Sequence, residues 1–82
     1  MHMKDTIVVY WRYGCSYCQM ATRLLDKYGI KYELLELDRD FSREEFYKAI
    51  PGAKTFPQIL INGTSIGGYE ELQESLPKIL EK

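Results

Sequence analysis

From Thr6 to Trp11 the chain reads Thr-Ile-Val-Val-Tyr-Trp, β-branched and aromatic with no polar alternation. That run predicts a strand buried on both faces and central in its sheet. From Ser16 to Tyr28 the pattern changes: Ala21, Leu24, Leu25 and Tyr28 recur at helical spacing, and Gly29 follows as a left-handed stop. Lys31 to Leu37 reads as a second strand, ended by Asp38-Arg39-Asp40. A strand-helix-strand unit of this length favours a right-handed crossover and a parallel strand pair. Ser42 followed by Glu45 has capping-box spacing, with Phe41, Phe46 and Ile50 available for packing and Pro51-Gly52 as a stop. Pro57 to Ile61 and Thr64 to Ile66 flank Asn62-Gly63, a strong hairpin signal. Gly67-Gly68 leads into a last helix from about Tyr69, carrying Leu72, Leu76, Ile79 and Leu80. Pro77 inside it removes a backbone bond and is expected to kink or divide the helix.

The order β-α-β-α-β-β-α contains no linker, repeat or low-complexity segment, so it predicts one three-layer α/β domain over residues 1–82. With 82 residues, 45% of them hydrophobic and 28% charged, the chain supports a modest core and one active site. Eleven basic residues against 12 acidic ones give a net charge of -1, which argues against electrostatic capture of nucleic acid or an anionic membrane. Proteins and small molecules are the expected partners. The longest apolar run, Ile7 to Trp11, is far short of the roughly 20 residues of a membrane helix, and the N-terminus has no signal-peptide core. A soluble, cytoplasmic chain is expected, with Met1-His2 and Met3 set aside as a loose or cloning-derived end.

The chemistry centres on the only two cysteines, in Cys15-Ser16-Tyr17-Cys18. Two cysteines are a poor framework for a secreted domain and in a reducing compartment read as redox or metal chemistry. Structural zinc wants four nitrogen or sulfur ligands, whereas this chain offers Cys15, Cys18 and His2. A purely structural disulfide across so small a loop would constrain the unfolded chain little. Redox cycling is left as the stronger reading. Residues i and i+3 at a helix start lie about 5 to 6 Å apart, within the usual Cα range of a disulfide. Cys15 sits just before the first turn, expected to face solvent and free N–H groups, and Cys18 lies one turn in, so Cys15 is the expected nucleophile.

A free thiol with pKa about 8.5 is mostly protonated at neutral pH, while thiols at helix N-termini reach about 3.5 to 7.5. A drop of three units asks for about 4 kcal/mol of preference for the thiolate. The helix dipole supplies about 0.3 to 2 kcal/mol. The remainder is expected from hydrogen bonds at Ser16, Tyr17 and Cys18 and from Arg12.

Three segments together resemble the glutaredoxins: Cys15-Ser16-Tyr17-Cys18, Thr55-Phe56-Pro57-Gln58 and Gly67-Gly68-Tyr69-Glu70-Glu71-Leu72. The resemblance covers the chain from Thr6 onward in order and spacing. It implies the thioredoxin fold, with a four-stranded mixed sheet and helices on both faces, and glutathione as electron donor. By the same resemblance Tyr17 flanks bound glutathione, and Arg12, standing for the family's usual lysine, pairs with its glycine carboxylate. Phe56-Pro57 is expected to be cis, with the Phe56 backbone pairing with the cysteine portion of glutathione as a one-residue strand addition. Phe56 replaces the family's commoner valine, and Thr55 belongs to the same loop. Gly68 and Tyr69 bring the N–H groups of a helix start to the γ-glutamyl carboxylate. Glu70 stands where the family more often has aspartate, contacting the glutathione ammonium or capping the helix.

The implied activity is glutathione-dependent thiol-disulfide exchange on protein disulfides and glutathione mixed disulfides, with Cys15 attacking and glutathione or Cys18 resolving, by a monomer. One alternative is a redoxin reduced by thioredoxin reductase, of the kind that serves ribonucleotide reductase. Another is a carrier of a two-iron, two-sulfur cluster, held between two protomers by Cys15 of each and two glutathiones. Ser16, where the family usually has proline, keeps the cluster reading open.

Overall fold

The computed structural model describes residues 5–80; the Met1-His2 end, and with it the His2 weighed as a zinc ligand, lies outside the described residues. Strand β1 (Ile7–Trp11) is central, as its apolar run predicts. It pairs in parallel with β2 (Glu33–Glu36) and antiparallel with β3 (Gln58–Ile61), and β4 (Thr64–Gly67) adds to the far side of β3. The sheet order is β2-β1-β3-β4. Both faces are covered. Ile7, Val9 and Ile59 point to helices α1 (Ser16–Lys27) and α3 (Tyr69–Leu80), where they pack with Ala21, Leu25 and Leu72. Tyr10, Leu35 and Leu60 point the other way, to Phe41, Phe46 and Ile50 on and around α2 (Arg43–Ala49). Alternation along β1 and β3 thus feeds two cores, and the three layers form the expected thioredoxin fold.

Local chemistry sets most boundaries. Helix α1 ends in a Schellman motif, with Gly29 at φ 67°, Gly29 N–H donating to Asp26 O and Ile30 N–H to Leu25 O. The capping box on α2 forms as predicted: Glu45 N–H donates to Ser42 Oγ at 3.1 Å and Ser42 N–H to Glu45 Oε1 at 2.7 Å. Asn62 and Gly63, both at positive φ, make the β3–β4 turn. The Asn62 side chain also accepts from Thr6 N–H at 2.8 Å, tying the hairpin to the start of β1.

Three expectations change. Strand β2 is shorter than Lys31 to Leu37, because the chain turns after Glu36: Asp38 adopts φ 70° and the Asp40 carboxylate accepts from Glu36 N–H at 2.8 Å. Strand β3 starts at Gln58, one residue after Pro57, which has no N–H for a ladder. Helix α3 runs past Pro77 undivided. Pro77 lies on the exposed face, while Leu76 and Ile79 on either side of it are anchored inside.

Candidate functional site

Cys15 is the N-cap of α1, at φ -103° and ψ 111°, and its sulfur does the work a serine oxygen does at other helix starts. Sγ accepts from Cys18 N–H at 3.3 Å, and the thiol donates to the Phe56 carbonyl at 3.6 Å. One expectation is corrected here. Cys15 was expected to face solvent, yet it is only 5% exposed, because the loop carrying Phe56 lies against the sulfur; it meets solvent at the wall of a groove. Arg12, in turn, is exposed and donates from Nη1 to its neighbour's carbonyl, Tyr13 O, at 3.4 Å.

Cys18 is fully buried behind Cys15. Burial pushes its thiol up from the ordinary 9.0 to about 12; the side-chain hydrogen bond with Cys15 adds to the rise, and contact with the Arg12 backbone opposes it. The two sulfurs are therefore unlike: one borders open space, and the other is held neutral beneath it.

The groove encloses about 900 Å³ and brings together Arg12, Cys15, Tyr17, Thr55, Phe56, Pro57, Gly68, Tyr69 and Glu70. Of the sequence-predicted site residues only Cys18 sits behind its wall. The Phe56-Pro57 bond is cis, as expected, and the buried Gln58 closes the turn by donating from Nε2 to Thr55 O at 2.9 Å. Tyr17 and Tyr69 face each other with ring centroids 6.0 Å apart.

Opposite the proline loop, two closely approached glycines precede α3. A Cβ on Gly68 would lie 3.3 Å from Pro57 O, and one on Gly67, which has φ +115°, would lie 2.8 Å from the Glu71 side chain. Glu71 is the residue that caps this helix: its Oε1 accepts from Gly68 N–H at 2.8 Å. Glu70, for which capping is one of the two roles the resemblance implies, is exposed in the first turn and lines the groove. The signal for Glu71 was present in the sequence, since Gly68 to Glu71 repeats the N-cap to N3 spacing of Ser42 to Glu45. Arg43 and Lys54 also line the groove and were not foreseen. No local pattern marks them, because α2 and the loop after it meet the site only through tertiary packing.

A CxxC pair at a helix start, with its first sulfur against the backbone of a cis-proline loop, defines a thiol-disulfide oxidoreductase built on the thioredoxin fold. The family profile described as Glutaredoxin matches residues 7–66. Glutaredoxin 1 of Rickettsia conorii is 39% identical over 84 residues, covering 93% of this chain and 81% of the relative. Glutaredoxin-1 of Ectromelia virus is 33% identical over 77 residues, covering 85% and 70%. Among solved structures, glutaredoxin 1 from Francisella tularensis complexed with cacodylate superposes with TM-score 0.81 at 32% identity, covering 95% of this chain and 99% of that one. The buckwheat glutaredoxin-glutathione complex follows at TM-score 0.80 and 28% identity, covering 94% and 74%. The chain belongs to the glutaredoxin family and is a thiol-disulfide oxidoreductase of that type.

Proposed function

We propose that the protein reduces glutathione mixed disulfides and protein disulfides with glutathione as co-substrate, with Cys15 as nucleophile and Cys18 as resolving thiol. The observation that carries this reading is the asymmetry of the sulfurs, Cys15 on the groove wall and Cys18 sealed behind it, where burial pushes its thiol up. The likeness to a buckwheat glutaredoxin solved with glutathione supports the choice of co-substrate.

Cys15, as the thiolate, attacks the glutathione sulfur of a glutathionylated protein. A new disulfide joins Cys15 to glutathione, and the protein thiolate leaves and takes up a proton. A second glutathione thiolate then attacks the same glutathione sulfur, giving oxidised glutathione and free Cys15. On a protein disulfide, Cys15 forms a mixed disulfide with the protein. Cys18, once deprotonated, attacks the Cys15 sulfur, releases the protein thiol and closes the Cys15–Cys18 disulfide, which two glutathiones reopen.

The groove residues divide the tripeptide among them. The Phe56 backbone, framed by Thr55 and Pro57, pairs with its cysteine portion, and Tyr17 flanks it. Arg12 takes the glycine carboxylate. The γ-glutamyl end meets the start of α3. Gly68 N–H already serves Glu71, so the carboxylate falls to the next N–H groups, at Tyr69 and Glu70, and Glu70 approaches the ammonium. The test is a coupled assay supplying either glutathione with glutathione reductase or thioredoxin reductase alone. Turnover is expected with the first; turnover only with the second refutes the choice of co-substrate.

A further inference from the structure

The Phe56 backbone reaches the reactive sulfur, through Phe56 O and the Cys15 thiol at 3.6 Å. That loop is held by Gln58 Nε2 on Thr55 O and by the Phe56 ring, which stacks against Phe46 and, at 6.2 Å, Phe41. Phe56 is half-buried, and its ring stacks on Phe46 with centroids 4.5 Å apart and planes 18° from parallel. Phe46, on α2, is 1% exposed. Its ring also meets Tyr10 of β1 at 5.6 Å and Phe41 at 5.8 Å. Phe46 therefore touches both segments that converge on the site: the loop that carries Phe56, and the strand that leads through Trp11 and Arg12 to Cys15. Offset ring stacking is orientation-dependent, so it constrains where Phe56 sits more tightly than an aliphatic contact would. An aliphatic side chain at position 56 would offer Phe46 no ring face.

We infer that Phe46 is a positioning residue for the active site: through its stack on Phe56 it sets the Phe56 backbone against Cys15, and so tunes affinity for the glutathione moiety. The glutathione part of this inference rests on the function proposed above. Phe46 itself touches no substrate and acts through the next ring.

The test uses Phe46→Leu, which keeps an apolar side chain and removes the ring face, with Phe46→Met as the second ringless variant should the first not fold. With a glutathionylated peptide, KM is expected to rise about fivefold at unchanged kcat per folded molecule. Leu76→Ala, a core change on α3, is expected to lower the denaturation midpoint and leave KM alone. In a Phe56→Val background, Phe46→Leu is expected to add nothing to KM, because the ring it acts through is gone. An unchanged KM in the wild-type background, or an equal rise in the Phe56→Val background, overturns the inference. The ¹³C shift of the Phe56 carbonyl reads the same positioning without glutathione: it should move in Phe46→Leu and stay in Leu76→Ala. A stationary shift in Phe46→Leu also overturns the inference. A moving shift in a protein that does not turn over the glutathionylated peptide supports the positioning role and overturns only the glutathione reading.

Discussion

The backbone N–H of Cys18 donates to the Sγ of Cys15 across 3.3 Å, so the second cysteine supports the first by its main chain and not only by its thiol. That division separates the two residues by mutation. Any side chain but proline at position 18 leaves the N–H in place, whereas any change at position 15 removes the attacking sulfur. Cys15→Ser is expected to lower activity by more than about a thousandfold on every substrate. Cys18→Ser is expected to retain deglutathionylation and lose reduction of protein disulfides by the dithiol route. Glutathione-coupled assays on the two variants check this, and the reverse pattern would exchange the roles.

The buried thiol of Cys18 makes a pH prediction. Its value in the fold, about 12, lies above its ordinary 9.0, chiefly through desolvation. A raised value means that the folded state favours the protonated form. The stability so gained is fully present below about pH 9.0, where the unfolded chain is protonated too, and is lost as pH climbs from there toward about 12. The stability difference between the reduced wild type and Cys18→Ala should therefore be constant below about pH 9.0 and drift in favour of Cys18→Ala above it. Denaturant midpoints of both proteins across that range measure it; parallel curves to the alkaline end would refute the burial of the thiol.

Asn62 ties the hairpin to the sheet. It adopts φ 53°, its N–H donates to Thr6 O at 2.7 Å, and its Oδ1 accepts from Thr6 N–H at 2.8 Å. Alanine would keep the backbone bond, lose both side-chain bonds, the one from Thr6 N–H and the one Nδ2 donates to Asp5 Oδ1 at 2.9 Å, and tolerate the left-handed conformation less well. Asn62→Ala is expected to cost about 1 to 3 kcal/mol in chemical denaturation, with kcat/KM of the folded protein unchanged.

The features that were legible from the sequence are those decided within a few residues. Ser42 and Glu45 announce their capping box, Asn62-Gly63 its turn and Gly29 its helix stop, because each depends on backbone donors and dihedral angles close by. The order of apolar runs also placed β1 at the centre and a helix layer on each face. What escaped depended on tertiary approach. The burial of Cys15 follows from the position of Phe56, forty-one residues later in the chain, which no local periodicity encodes. Arg43 and Lys54 join the groove for the same reason. Pro77 differs in the other direction: its local cost is real, but its exposed position and the anchored Leu76 and Ile79 let α3 continue. At the start of α3 the difference is one of register: the cap, one of the two roles the resemblance implies for position 70, belongs to Glu71 at N3.

That register carries the last prediction. Gly67 has φ +115°, and an added Cβ would sit 2.8 Å from both Cγ and Cδ of Glu71, the side chain that caps Gly68. Gly67→Ala therefore imposes two costs together, a strained backbone and a displaced cap, and about 1 to 3 kcal/mol of stability should be lost. Glu71→Gln keeps an oxygen acceptor of similar reach and should cost less, whereas Glu71→Ala should cost about 1 kcal/mol, the usual loss of a helix cap. In the binding mode proposed above, Glu71→Ala frees Gly68 N–H beside the N–H groups that take the γ-glutamyl carboxylate. Its KM for glutathione should accordingly rise less than that of Gly67→Ala, which distorts the backbone carrying those donors. Denaturation midpoints give the stability order, and glutathione titrations in the coupled assay give the KM order. Equal stability of Gly67→Ala and wild type would show that Glu71 moves aside freely, and that the close approach at Gly67 does not hold the helix start in place.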